Sequence, residues 1–327
     1  MKKVAVTGAS GHIGANLVRE LLSRGFQVTT LIRQSSEALE GLDVRRVNGD
    51  ILDTRSLRHA FNRVEQVYHL AAHISIQHGE SEMLERINVQ GTQNVMTACR
   101  LEGVETLVHF SSIHALKLEP LEQPVTEENP LLDGQDGNGA DYDITKARAD
   151  SLVRQHHDEN LSTRIIYPTA VLGPNDFRQS LFGQAIRKMA DGKLPALVAG
   201  GFDWVDARDV AWGAVEAAEK GEDKERYILS GHYLDMPGVA AVIAELTGVA
   251  APRFTCPTWL AGVFAPVMCS WARLTGDTPL YTRDSLAVLS TNKVMSHGKA
   301  SRKFSYRPRP FRESMVDVLS FYNNIKQ

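Results

Sequence analysis

This chain has few cysteines and no large excess of charge of either sign. Its 327 residues include three cysteines, Cys99, Cys256 and Cys269, which are odd in number and lack C-x-x-C spacing. Neither a disulfide framework nor a zinc site is indicated, and a reducing cytoplasm is the expected location. The formal net charge of −3 provides no basic footprint for nucleic acid. The sequence therefore predicts no metal site and no nucleic-acid partner.

Long hydrophobic runs are also lacking. The apolar stretch that follows Met1 breaks at Gly8, before the hydrophobic segment of a signal peptide can develop. Trp259–Trp271 is apolar but contains Pro266 and is too short to span a bilayer. We expect it to form a buried helix or a wall of a substrate pocket, and no membrane span is predicted.

Short β-branched runs alternate with segments whose apolar residues recur at helical spacing. The predicted strands are Val4–Val6, Phe26–Ile32, Val44–Val47, Val67–Leu70, Thr106–Phe110 and Thr163–Tyr167. The predicted helices are the segment after Ile13, Asp53–Phe61 capped by Asp53, Glu82–Leu101 and Tyr142–His156. This order is typical of an α/β fold, a Rossmann doubly wound parallel sheet with helices on both faces.

The regular alternation weakens after Pro168. Shorter α/β pieces follow at Ser180–Asp191, Arg226–Leu229 and Pro237–Thr247. We therefore expect a dinucleotide-binding Rossmann domain over 1–173, to which 203–232 contributes. Residues 174–327 would mainly form a smaller C-terminal substrate-binding lobe over the strand ends, where such sheets bind ligands.

The first predicted strand runs into a glycine-rich turn. Glycines at 8, 11 and 14 have one residue more between the first two than the G-x-G-x-x-G fingerprint. Bare backbone permits the turn and a close approach of pyrophosphate, and the helix N–H groups then meet its negative charge. The expected cofactor contacts here are Gly8, Ser10, Gly11, His12, Ile13 and Gly14.

The end of the second strand decides which dinucleotide is expected. An acidic residue there would bind the ribose hydroxyls of NAD, but Ile32 is followed by Arg33. A guanidinium can pair with a 2′-phosphate and stack on adenine. NADP(H) is therefore preferred, with NAD(H) as the alternative. Asp50 and Ile51 follow the third strand and are expected at the adenine, although Asp50 equally suits a turn or a helix cap.

A phenol and an ammonium lie four positions apart in Tyr142–Lys146, on one face of a helix. An ammonium beside a phenol lowers the tyrosine pKa toward the range useful for exchanging a proton with a carbonyl oxygen. Ser111-Ser112 follows the strand Thr106–Phe110, so a serine hydroxyl is expected at the same sheet edge. Such a hydroxyl could polarise a carbonyl group.

Further motifs extend along almost the whole chain. They are Thr7–Gly14, His69–Ala72, Asn88–Thr92, Phe110–Ser112, Tyr142–Lys146, Pro168–Pro174 and Tyr306–Phe311. With these motifs the chain resembles the extended short-chain dehydrogenases/reductases, in the dihydroflavonol reductase-like branch related to the 3β-hydroxysteroid dehydrogenases. The resemblance implies that Tyr142 is the acid/base, that Lys146 also binds the nicotinamide ribose, and that Ser112 orients the carbonyl. Ser111 is the fallback for Ser112.

The resemblance also implies cofactor contacts at Leu70, Ala71, Ala72, Pro168 and Val171, besides Tyr142 and Lys146. Nucleotide-sugar epimerases of this fold usually carry an acid after the second strand and an asparagine before the proline at the sixth strand end. Arg33 and Tyr167 stand there instead, which disfavours a sugar nucleotide. The expected substrate pocket, suited to an apolar or aromatic carbonyl compound, comprises His73, His114, Tyr167, Phe177 and Phe202.

Some of these residues have ordinary structural explanations. His73 and His114 are better explained as hydrogen-bonded neighbours of the site than as proton carriers. Asp206 and Asp209 are typical of second-lobe structure and helix capping.

The leading hypothesis is an NADP(H)-dependent reductase of a ketone or aldehyde, reversible as an alcohol dehydrogenase, with a Ser-Tyr-Lys triad. One alternative is a nucleotide-sugar epimerase/dehydratase with bound NAD. Another is a non-catalytic NADP-sensing regulator, which the Tyr-x-x-x-Lys pair disfavours. The expected partner is a small molecule, and a homodimer is left open.

Overall fold

The computed structural model describes residues 1–75, 79–121, 123–134, 139–262, 289 and 294–325. Cys269, the greater part of the apolar segment Trp259–Trp271 and the buried helix expected there lie outside these residues. None of the described helices has both the length and the apolar character that a membrane crossing requires.

Within the described residues, twelve strands form one large sheet and two small ones. They are β1 Lys3–Thr7, β2 Gln27–Ile32, β3 Arg45–Asn48, β4 Gln66–His69, β5 Thr106–Phe110, β6 Ser162–Pro168, β7 Ala170–Leu172, β8 Leu197–Val198, β9 Gly201–Asp206, β10 Glu225–Leu229, β11 His232–Asp235 and β12 Thr255–Cys256. The large sheet has seven strands in the order β10-β6-β5-β4-β1-β2-β3, all paired in parallel. The prediction of a doubly wound parallel sheet is confirmed.

Helices cover both faces of this sheet. The helices of the described chain are α1 His12–Ser23, α2 Thr54–Phe61, α3 Ser81–Leu84, α4 Gly91–Glu102, α5 Asp141–Arg154, α6 Leu181–Ala190, α7 Ala207–Lys220, α8 Met236–Thr247, α9 Gly298–Phe304 and α10 Phe311–Ile325. Of these, α6, α8 and α10 belong to a second core beside the sheet. On one face, Leu17 of α1, Val215 of α7 and Phe304 of α9 share a buried core. On the other, Leu57 of α2 packs with Val95 of α4. Asp53 caps α2 as predicted, because its carboxylate accepts from the backbone N–H groups of the first turn.

The register of the parallel strands brings the candidate site residues to one edge. Thr7 at the end of β1 pairs with Leu31 of β2 and with His69 of β4, and Phe110 of β5 pairs with Ile166 of β6. The glycine loop, Arg33, the residues after His69 and the two serines therefore all leave the sheet at its carboxyl edge, where α/β proteins bind ligands.

A second core lies beside the main sheet. The three-stranded sheet β11-β9-β7 packs with α6, α8 and α10, and Trp204, Ile243 and Met315 are among its buried residues. The chain does not stay in this lobe after β9. Helix α7 packs against α1 and β10 extends the main sheet beside β6, so residues 207–229 add to the Rossmann core.

Candidate active site

The glycine loop is closed so tightly that side chains have no room at two positions. Gly8 has φ +73°, and a Cβ there would lie 2.6 Å from the Ala71 nitrogen; one at Gly14 would lie 2.2 Å from the Gly8 carbonyl oxygen. Gly11 donates its N–H to the same oxygen at 3.0 Å and caps α1 without a side-chain hydrogen bond. A helix N-terminus behind a side-chain-free turn fits a dinucleotide pyrophosphate.

Two side chains of this loop contact the segment after β7. The His12 imidazole donates from Nε2 to the carbonyls of Gly173 at 3.1 Å and Pro174 at 3.2 Å. The Ser10 hydroxyl accepts from Arg178 at 2.7 Å. A cofactor contact from His12 would therefore come from its backbone. Ser10 lies beside the positively charged guanidinium of Arg178.

The residues expected at the adenosine end lie beyond β2 and β3. Arg33 is exposed, and within the described residues no hydrogen bond or ion pair engages its guanidinium. Asp50 accepts from the Leu52 N–H at 2.9 Å, as in a turn, and Ile51 lies against the Cβ position of Gly91. Arg33 is thus available to an anion, while the adenine contact of Asp50 and Ile51 stays a prediction.

The structure brings Ser112 and Tyr142 together. The Ser112 side chain lies near enough to the phenol of Tyr142 to lower the pKa of that phenol, and the Ser112 oxygen accepts the backbone N–H of His114 at 3.2 Å. The Ser111 hydroxyl is buried and has no hydrogen-bond partner in the described part of the chain. Of the two serines, the geometry therefore favours Ser112 as the partner of the tyrosine.

The charge state of Tyr142 differs from the sequence-based expectation. Burial raises the pKa of Tyr142, the nearby Asp143 raises it further, and the hydrogen bond from Ser112 opposes them. The ammonium of Lys146 donates to the Phe110 carbonyl at 2.5 Å, and the pKa of Tyr142 stays raised in its presence. The phenol is therefore protonated at neutral pH, and the predicted lowering of its pKa by Lys146 is wrong for the chain without cofactor.

Lys146 is itself strongly affected by burial. Its side chain is 4% exposed, and burial lowers its pKa to about 8, against the opposing charge of Asp150. Asp150 is fully buried and lies 3.4 Å from Nε2 of His109. A lysine in this position loses its charge within the pH range in which enzymes are commonly assayed.

Asn88, to which no sequence motif assigns a role, braces the site. Its side-chain oxygen accepts from the backbone N–H of His73 at 2.8 Å. Its amide nitrogen donates to the His73 carbonyl at 3.0 Å and to the Thr145 hydroxyl at 3.1 Å. Asn88 lies in the π-helical turn Glu85–Gln90, a feature frequent at functional sites. One buried amide thus joins the segment after β4 to α5.

The expected pocket residues do not all lie together. His114 lies two residues after Ser112, and burial lowers its pKa. His73 donates to Glu80 at 2.7 Å. Phe177 packs against Phe321 at 5.1 Å between ring centres, beneath the guanidinium of Arg19. The two histidines border the site, whereas, among the described residues, Phe177 contacts Phe321 and Arg19 and not the residues around Ser112 and Tyr142.

Tyr167 departs from its expected place in the pocket. It is fully buried among Ile113, Ala147 and Val153, because Tyr167 and Ile165 both face α5 on alternate positions of β6. Phe202 packs edge to face with Phe182 at 4.9 Å, in the aromatic part of the second core. Tyr167 is a core residue and not a pocket wall.

The remaining predictions concern capping and metal binding. The carboxylate of Asp206 caps α7 through the Arg208 N–H, as expected, and Asp209 pairs with Arg309 at 2.7 Å. Among the residues with described positions, no three histidine, cysteine or acidic side chains form a group that could hold a metal ion.

Comparison with known proteins agrees with this geometry. Residues 4–230 match the model of the NAD dependent epimerase/dehydratase family. Sterol demethylase protein B of Methylococcus capsulatus is 36% identical, with 97% of each chain covered. A putative dihydroflavonol 4-reductase of Synechocystis is 29% identical over 98% of this chain and 94% of its own. The crystal structure of gox2253 superposes with a TM-score of 0.85 at 30% identity, covering 99% of both chains. The chain therefore belongs to the NAD dependent epimerase/dehydratase family, as an oxidoreductase of the extended short-chain dehydrogenase type.

Proposed function

We propose that this protein is an NADP(H)-dependent reductase of ketones or aldehydes that can also run in reverse as an alcohol dehydrogenase. The observation that carries the proposal is the placement of Ser112 beside the protonated phenol of Tyr142, at the sheet edge that also holds the glycine cradle. The similarity to a putative dihydroflavonol 4-reductase supports ketone reduction over sugar epimerisation.

The proposed chemistry divides between cofactor and protein. When bound, the reduced nicotinamide supplies a hydride to the carbonyl carbon. Tyr142 gives its phenolic proton to the carbonyl oxygen as negative charge develops there. Ser112 turns its hydroxyl proton from the phenol to the same oxygen, while its own oxygen keeps the His114 N–H. Lys146 would bind the nicotinamide ribose, and its ammonium would stabilise the phenolate left on Tyr142 until solvent returns the proton.

A substrate panel tests this proposal directly. Purified protein with NADPH would be offered aliphatic and aryl ketones, matching aldehydes and a UDP-sugar, and absorbance at the reduced nicotinamide band would be followed. We expect consumption of NADPH that depends on a ketone or aldehyde. Conversion of the UDP-sugar with no net change in NADPH would instead indicate the epimerase alternative.

Replacement of Arg33 separates the two nicotinamide cofactors. We expect Arg33→Ala to weaken NADPH binding by about 10- to 100-fold, because a charge-assisted bond to the 2′-phosphate is lost. NADH has no such phosphate, so its dissociation constant should change less than twofold. Titration of each cofactor by fluorescence measures both values, and equal effects on the two cofactors would contradict the role given to Arg33.

The lowered pKa of Lys146 predicts a pH dependence. The ammonium is charged below about pH 8 and loses its proton as the pH rises through that value. We therefore expect kcat/KM for carbonyl reduction to be level below pH 8 and to fall above it, since this parameter reports groups of the enzyme before substrate binds. Lys146→Arg keeps its charge over the same range, so any activity it retains should lack the fall near pH 8. A profile that rises through pH 8 would exclude a charged Lys146 from the active form.

A further inference from the structure

The segment that follows β7 is held firmly against the start of α1. Asn16 of α1 donates to the Pro174 carbonyl at 2.9 Å and accepts from the side chain of Asn175 at 2.9 Å. His12 adds its bonds to the Gly173 and Pro174 carbonyls. These contacts fix the segment beside the glycine loop, although the two are more than 150 residues apart in the chain.

Arg178 reaches from this segment to the glycine loop itself. Its guanidinium donates to the Ser10 hydroxyl at 2.7 Å. The side chain is exposed, and this is its one bond in the described part of the chain. A guanidinium has five N–H donors, so most of the hydrogen-bonding capacity of Arg178 is free beside the turn.

The glycine loop itself has too little positive charge to balance a bound pyrophosphate, and Arg178 can supply what is missing. Residues 7–14 contain no lysine or arginine, and His12 already bonds to two carbonyls. The N-terminus of a helix carries only about half an elementary charge, whereas a dinucleotide pyrophosphate carries two negative charges. A planar guanidinium is suited to bind phosphate oxygens in bidentate fashion.

We infer that Arg178 binds the pyrophosphate of the cofactor, together with Ser10, and so holds the segment after β7 over the bound dinucleotide. The inference rests on the proposed function, because it requires a dinucleotide in the glycine cradle. It assigns different phosphates to the two arginines. Arg33 meets the 2′-phosphate, which only NADP(H) has, and Arg178 meets the pyrophosphate, which both cofactors share.

Cofactor titrations test this division. Dissociation constants for NADPH and NADH would be measured by fluorescence for the wild type, Arg178→Ala, Arg178→Lys and Arg33→Ala. We expect Arg178→Ala to weaken both cofactors equally, by about 10- to 100-fold. Arg178→Lys should recover part of the affinity, since a lysine keeps the charge but loses the bidentate geometry. The exposed Arg302 on α9 is the matched control, and Arg302→Ala should leave both constants unchanged.

Other outcomes of the cofactor titrations would contradict either the role of Arg178 or the proposed function. Unchanged constants for Arg178→Ala would overturn the inference and leave the proposed function intact. Weakening of NADPH alone would also overturn it, because Arg178 would then bind the 2′-phosphate. A wild-type protein that binds neither cofactor would overturn the proposed function itself, and the inference with it. Equal thermal unfolding midpoints for the variants would show that the fold is unaffected.

Discussion

Replacing Tyr142 by phenylalanine should lower kcat for carbonyl reduction by about 10²- to 10⁴-fold, the usual contribution of a positioned acid. The phenol lies beside Ser112, and burial keeps it protonated at neutral pH. Phenylalanine preserves the ring and its packing but has no proton to give. We expect NADPH to bind with nearly unchanged affinity, which fluorescence titration would measure beside the turnover assay.

The control for this substitution is a tyrosine outside the proposed site. Tyr233→Phe removes a hydroxyl on β11, in the small sheet, and should leave kcat within twofold of the wild type. Ser112→Ala should also lower kcat, because it removes the second hydrogen bond to the carbonyl oxygen. Near-normal turnover by Tyr142→Phe would contradict the mechanism, whatever effect Ser112→Ala has on kcat.

Replacing Gly14 by alanine should destabilise the whole fold. The added Cβ would lie 2.2 Å from the Gly8 carbonyl oxygen and 2.9 Å from the Ala9 Cα, and both are backbone atoms. Gly8 cannot retreat, because it already lies against Leu70 and Ala71. Overpacking of this kind costs about 1–3 kcal/mol or more. We expect the thermal unfolding midpoint to fall by about 3–10 °C, given some 2–4 °C for each kcal/mol in domains of comparable size.

Gly11 offers a matched control within the same turn. A Cβ at Gly11 would lie 3.3 Å from the Gly8 oxygen, a contact that a shift of a few tenths of an ångström relieves. Gly11→Ala should therefore unfold within about 3 °C of the wild type, since less than 1 kcal/mol is at stake. An unfolding midpoint for Gly14→Ala equal to that of Gly11→Ala would show that the turn is less tightly closed than the structure describes.

The Rossmann half of the fold follows from periodicity. Strand β5 occupies the predicted Thr106–Phe110, because a buried parallel strand reads as a short β-branched run ended by polar residues. Strands β7 and β9 carry no such signal. They are stabilised by contacts with α10 and with one another, and those contacts depend on residues far away in the sequence.

The site was predictable only as far as motifs extend. Glycines, a tyrosine, a lysine and a pair of serines can be read from their spacing, but the choice of Ser112 over Ser111 depends on which hydroxyl reaches α5. Tyr167 could have been placed correctly, since counting alternate residues along β6 puts it beside Ile165 under α5. The bond from Arg178 to Ser10 joins residues 168 positions apart, and no local pattern predicts it.

Isotope transfer tests the proposed function most directly. The protein would be incubated with a ketone that the panel identifies as a substrate and with deuterated NADPH. Two preparations of NADPH would be used separately, each carrying deuterium on one of the two faces of nicotinamide C4. We expect one deuterium at the carbinol carbon of the alcohol product, from one face only, with one NADPH oxidised for each alcohol formed. Alcohol without deuterium from either face would contradict it. So would a protein that oxidises no NADPH with any ketone or aldehyde but interconverts a UDP-sugar on retained NAD.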